Sequence, residues 1–129
     1  MKIRAFATLV GLITLAGCAN NSDQQHLELL ANNRASVLSA ELPLEAGPLS
    51  IMRANAKGST IEIMMVYNQD QAGAKPVNLV LSNGISYYCS HKDTKANLEA
   101  GISYRLKIRN TRGQLMLDEF VSEESCKTQ

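Results

Sequence analysis

Two stretches place their apolar residues at every second position. Ile61, Ile63, Met65 and Tyr67 alternate with Thr60, Glu62, Met64 and Val66, and Ile102, Tyr104, Leu106 and Ile108 alternate with Ser103, Arg105, Lys107 and Arg109. Strand side chains point to opposite faces in turn, so each stretch predicts a strand with one face that has to be covered. Ahead of the first, Leu49 and Ile51 alternate with Ser50 and Met52, and the Gly-containing segment Asn55-Ala56-Lys57-Gly58 predicts a hairpin. After the second, Thr111-Arg112-Gly113 turns the chain into Gln114 to Val121, with Leu115 and Leu117 apolar on one face. Asp118-Glu119-Phe120 interrupts that alternation, as a bulge does.

The covering layer comes from segments of a different period. Leu27, Leu30, Ala31, Ala35, Leu38 and Leu42 recur at three- and four-residue steps, which predicts a helix from Ser22 or Asp23 to about Ala40. Pro43 disfavours helical geometry at Leu42 and stops it, and Glu45 to Pro48 reads as a turn. Asn68 to Lys75, polar and containing Gly73, reads as a loop. Pro76 to Cys89 carries two patterns. Val77, Val80, Leu81, Gly84, Ile85, Tyr88 and Cys89 suit one helix face behind a first-turn proline, yet Asn83-Gly84 between VNLVLS and ISYYCS is a hairpin signal. Asp93 is placed to cap a short helix, Thr94 to Ala100, that Gly101 ends. Together these predict an α+β fold, an antiparallel sheet of about four to five strands packed by helices.

The N-terminus carries an address. Lys2 and Arg4 precede the uncharged run Ala5 to Ala16, which is shorter than a bilayer span and has the make-up of a secretory signal. It ends in Leu15-Ala16-Gly17-Cys18, similar at each position to the lipobox of bacterial lipoproteins, in which the thiol takes a diacylglycerol. Several acyl chains make a durable anchor where one does not. Residues 1–17 are thus expected to be cleaved, 18–22 to form a lipidated tether, and 23–129 to form one domain. Ala19, rather than Asp, after the cysteine favours the outer membrane. Cleavage takes 17 residues from 129 and leaves 112, and losing Lys2 and Arg4 lowers the basic count from 13 to 11 against 12 acids, a formal charge of −1. In the oxidising periplasm, Cys89 and Cys126 are the two thiols left once Cys18 is acylated. A bond between them would close a loop of about 38 residues and stabilise the fold by about 4 kcal/mol in the chain-entropy model, whereas two free buried thiols would leave the tail untied.

Composition and spacing exclude several chemistries. The near-neutral charge and the absence of Trp give no electrostatic or stacking basis for nucleic-acid binding. His26 and His91 lie far apart and outside ligand-spaced pairs, so no metal or other cofactor is expected beyond the lipid on Cys18. Asp118-Glu119 are neighbours on a strand and face opposite ways, and the sequence has no GxSxG, phosphate loop or HExxH. An enzyme is not expected. The Arg105, Lys107, Arg109 row reads as the solvated face of its strand.

The order of parts resembles that of the AspS-type pilotins, small outer-membrane lipoproteins of type II secretion systems. The residues that carry the resemblance are the LAGC lipobox, the leading helix SDQQHLELLANNRASVLSAEL, the hairpin GPLSIMRANAKGSTIEIMMVY, the segment YYCSHKDTKANLEAGISYRLKIRNTRGQ and the tail SEESC. The resemblance implies a sheet packed by helices, an intact Cys89–Cys126 bond and a helix over 76–89. It also implies that the chain binds the C-terminal tail domain of the secretin and carries it along the lipoprotein sorting machinery to the periplasmic face of the outer membrane. No motif marks the gripping surface. If helices cover one sheet face, the other should show Met52, Met64, Val66 and Met116, a Met-rich patch suited to a partner helix or else a second core layer. The alternative function is a periplasmic lipoprotein inhibitor of a lysozyme or protease, presenting the loop Asn68–Lys75 or Ser90–Thr94.

Overall fold

The computed structural model describes residues 18–128; the expected signal segment 1–17 lies outside them, and side chains are described from Ser22 onward. Element order is α1 (Cys18–Ser39), β1 (Leu44–Ala46), β2 (Leu49–Lys57), β3 (Thr60–Tyr67), α2 (Val77–Ser90), α3 (Lys92–Ala100), β4 (Ser103–Asn110), β5 (Leu115–Val121) and α4 (Glu123–Lys127). The five strands form a single sheet in sequence order. The fold is α+β with helices packed on the sheet, and one disulfide joins Cys89 to Cys126.

Three of the pairings are antiparallel, but β3 and β4, at the middle of the sheet, run parallel, with Ile61 opposite Tyr104 and Met65 opposite Ile108. The expected all-antiparallel arrangement therefore needs this correction. Parallel neighbours need a long crossover, and here the 68–75 loop, α2 and α3 supply it. The alternation seen in the sequence becomes the core. Ile61, Ile63, Met65 and Tyr67 of β3 join Tyr104, Leu106 and Ile108 of β4, with Ile102, Leu98 and Val121, all at most 7% exposed. β3 alternates half-buried and buried along its whole length, and β4 does so from Ser103 to Arg109.

Each helix docks through its small or apolar face. Ala31 and Ala35 are buried and bring α1 close to β2, where Ser39 Oγ donates to the Ala54 carbonyl at 2.7 Å. The described part of the helix starts at Cys18, so residues 18–22, expected as a tether, are helical. Pro76 to Cys89 resolves as helix: Val77, Val80, Leu81, Ile85 and Tyr88 pack against the core, and Asn83-Gly84 lies within α2. Burying that apolar face outweighs the local turn preference of Asn-Gly. Asp93 is not the cap of α3. His91 occupies that position, and Asp93 sits in the first turn, where a carboxylate still favours the helix N-terminus.

Turns and bulges correct the strand limits. The hairpin closes on Gly58-Ser59, because Asn55, Ala56 and Lys57 are still paired in β2, and Gly58 takes the positive φ of 60° that a two-residue turn of this hand requires. Gly101 ends α3 at φ 108°, where a Cβ would lie 3.2 Å from a Leu27 methyl, so only glycine fits both the turn and the approach of α1. Glu45 and Ala46 belong to the edge strand β1, and the turn contracts to Gly47-Pro48. In β5 the register shifts at Met116 instead of at 118–120. Leu115 pairs with Arg109 and Leu117 with Ile108, so these two leucines face opposite sides of the sheet.

Cys89 on α2 and Cys126 on α4, 37 residues apart, tie the tail to the crossover. Replacing both cysteines with Ala should lower the unfolding free energy by about 4 kcal/mol in urea titrations. Gly84→Ala should raise it by about 0.5–1 kcal/mol, because a Cβ there meets nothing within 4 Å and glycine weakens a helix interior.

Candidate functional site

All the helices with extensive sheet contacts lie on one side, but they do not close over it. α1 packs on β2 and β3, whereas α2 packs against α3, α4 and β5. Between them runs a groove of about 510 Å³. Val37, Leu38, Arg34 and Glu41 of α1 form one wall, Tyr87 and Tyr88 of α2 with Asp93, Thr94, Ala96 and Asn97 of α3 form the other, and Ile51, Ile61, Ile63 and Tyr104 form the floor. Its surface is mostly apolar, with Arg34, Glu41 and Asp93 as its charged residues. Val37 and Tyr87 are large apolar side chains left 58% and 53% exposed. Tyr87 stacks on His91, centroids 4.8 Å apart, and Tyr88 packs on Tyr104 at 4.6 Å. An apolar trough with one aromatic wall and a charged margin is the form that receives an amphipathic helix.

The opposite sheet face is open and ionic. Glu62 lies between Lys57 Nζ at 3.3 Å and Lys107 Nζ at 3.2 Å, with Arg105 Nη1 at 4.0 Å. Arg105 grips Asp118 with two hydrogen bonds, Nε to Oδ1 at 2.8 Å and Nη2 to Oδ2 at 2.7 Å, and its guanidinium lies over the Phe120 ring at 5.4 Å. Partial desolvation acts to raise the Glu62 pKa, but hydrogen bonds from Lys107 and Lys57 outweigh it and hold the carboxyl below its ordinary value of 4.5. The hydrogen bond from Arg105 does the same for Asp118, below 3.8.

The four residues expected as a Met-rich patch divide. Met64 and Val66 sit next to each other on the open face of β3, half-buried beside the ionic network. Met52 and Met116 each occupy a register shift, in β2 and β5. Met52 is exposed, while Met116 packs against the core and receives Gln69 Nε2 on its sulfur at 3.2 Å. The bulges separate side chains that an uninterrupted alternation aligns. Ser90–Thr94, expected as a loop, is the junction of two helices with His91 between them. His26 and His91 are exposed, and among the described residues no group of three or more His, Cys, Asp or Glu is placed to hold a metal. No described helix is long and apolar enough to cross a membrane.

The sequence marks Leu38, Ile51, Ile61, Ile63, Tyr88 and Tyr104 only by their periodicity, and marks no groove residue as part of a binding surface. Val37 lies off the α1 stripe and Tyr87 beside a core tyrosine, and an apolar residue off its stripe was the available signal.

The family model for the type II secretion system pilotin, S protein, matches residues 23–126. The chain belongs to that family. The pilotin AspS of Vibrio cholerae has the same fold (TM-score 0.79) and is 60% identical, over 84% of this chain and 99% of that one. The Vibrio vulnificus pilotin EpsS gives a TM-score of 0.80 at 49% identity, over 85% of this chain and all of that one (100%). Lipoprotein YghG of Escherichia coli is 24% identical over 98 residues, 76% of this chain and 71% of its own.

In this pilotin the lowered pKa values of Glu62 and Asp118 make part of the stability depend on ionised carboxylates. That part is complete above their unfolded values of 4.5 and 3.8 and disappears as pH falls through the lower folded values. Glu62→Gln should therefore flatten the loss of stability with acid below pH 4.5, measured by urea unfolding at a series of pH values.

Proposed function

We propose that this pilotin is a lipid-anchored carrier of the secretin, binding its C-terminal tail domain and delivering it to the periplasmic face of the outer membrane, where the ring assembles. Two parts are needed, a lipid that the lipoprotein sorting machinery recognises and a surface that holds the secretin. The lipobox at Cys18 supports the first, as does the name of the Escherichia coli relative, a lipoprotein. The groove between α1 and the α2–α3 pair supports the second and is the observation that carries the proposal. An amphipathic helix from the tail domain lays its apolar face on Val37, Leu38, Ile51 and Tyr87 and sets its polar face to the solvent.

One element connects the two parts. Cys18 lies on α1, and the C-terminal half of that helix, from Arg34 to Leu38, is a groove wall. Among the described side chains of α1, Leu27 is the first packed against the core, and the nine residues from Cys18 to His26 extend about 13 Å at 1.5 Å per residue. From Ser22 to His26 the side chains are exposed. The lipid and the grip therefore sit on one helix, with a polar stand-off between bilayer and domain. No catalytic step and no cofactor enter this mechanism.

Val37→Asp should weaken capture of the purified secretin tail domain at least about tenfold, since docking would bury an unpaired carboxylate, while the fold tolerates the change at an exposed site. Met64→Lys, on the open face, should leave capture unchanged; the reverse pattern would move the grip to the Met-rich face. In cells, Cys18→Ser should leave the protein soluble and the secretin multimers absent from outer-membrane fractions, and normal multimers in that strain would refute the carrier role.

A further inference from the structure

The groove contains polar groups whose hydrogen bonding is incomplete. Asn97, 9% exposed, donates Nδ2 to Tyr104 Oη at 2.8 Å. Among the described residues no hydrogen bond uses its side-chain carbonyl oxygen, and none involves the hydroxyl of Tyr88, whose ring lies against that of Tyr104. Every fully buried side-chain oxygen and nitrogen among the described residues does have a partner. The Tyr88 hydroxyl and the Asn97 carbonyl oxygen are therefore reached by solvent, and the groove is the cavity that both residues line. Burial raises the pKa of Tyr88 and of Tyr104, so both hydroxyls keep their protons at physiological pH. A phenylalanine would serve the ring packing of Tyr88 equally well. Within the free protein, no hydrogen bond among the described residues uses the hydroxyl.

We propose that the Tyr88 hydroxyl and the Asn97 carbonyl oxygen form a polar recognition point inside the apolar groove, selecting a partner helix that buries one uncharged amide or hydroxyl side chain among its apolar residues. This rests on the groove being the secretin site. Docking strips water from both groups. An amide restores both bonds, its oxygen accepting from Tyr88 and its nitrogen donating to Asn97, and a hydroxyl can do the same. A helix with leucine at that position would leave a donor and an acceptor buried without partners, and a charged side chain would lose its hydration without a counter-ion. Apolar surface gives the groove affinity for many amphipathic helices, and discrimination comes from groups that only the correct helix satisfies.

Calorimetric titration of the mature lipoprotein in detergent with the purified C-terminal tail domain of its secretin tests this. Tyr88→Phe should weaken binding about tenfold, which corresponds to about 1.4 kcal/mol, with the melting temperature unchanged or raised. Replacing the Asn, Gln, Ser and Thr residues of the tail helix one at a time with Leu should reveal one change that weakens binding to the wild type about tenfold and costs Tyr88→Phe little, the signature of a coupled pair. Equal affinities of wild type and Tyr88→Phe, or a fall in melting temperature that accompanies the lost affinity, would overturn the recognition point while leaving the groove in place. A wild type that does not bind the tail domain would overturn the function beneath it as well.

Discussion

The parallel pairing of β3 with β4 determines the rest of the molecule. Antiparallel neighbours are joined by a tight turn, as β2 and β3 are at Gly58-Ser59, but parallel neighbours force the chain across a sheet face before it can re-enter. Here that crossing is α2 and α3, and it shares the apolar face with α1. Two helical bodies that reach the sheet from different parts of the chain pack on different strands, α1 on β2 and β3, α2 toward β5. The space between them is the groove. The disulfide then fixes the middle of the crossover, near the end of α2, because Cys89 follows the two groove tyrosines directly and Cys126 anchors it to the tail helix. An oxidising compartment thus contributes to the wall as well as to global stability.

The two sheet faces have different chemistry for the same structural reason. The helix-covered face buries four residues of β3 and three of β4 in alternation. Their neighbours in sequence form the opposite face, where Lys57, Lys107 and Arg105 surround Glu62, and Arg105 also holds Asp118. Charged side chains on that face keep it hydrated and limit the apolar surface left by Met64 and Val66. Arg105 and Lys107 of the basic row seen in the sequence are therefore half of an ion-pair network, and the acids that complete it come from the strands on either side, β3 and β5, while Arg109 donates to the Gly113 carbonyl.

The core was legible because it depends on period alone. Ile61 to Tyr67 and Ile102 to Ile108 name their buried members without reference to partners. The leading helix was legible for a similar local reason; residues 76–89 carried two patterns that only the family resemblance tipped toward a helix, and the cysteine pair followed from the compartment and the two thiols that remain. What escaped depends on register between distant segments. Bulges at Met52 and Met116 scatter a patch that uninterrupted alternation aligns, and the parallel central pair cannot be read from two strands that each look like half of a hairpin. The groove escaped for the same cause: Val37, Tyr87, Asn97 and Tyr104 come from three helices and a strand, and only the crossover brings them to one cleft.

The central claim is that this cleft, and not the ionic face, holds the secretin. Amide hydrogen exchange of the mature lipoprotein with and without the secretin tail domain measures it directly. Protection concentrated from Arg34 to Glu41 and from Tyr87 to Asn97, with Arg53 to Asn55 and Lys107 to Arg109 unchanged, is the predicted result. Protection confined to the strands of the open face, with the helical walls exchanging as before, would contradict it.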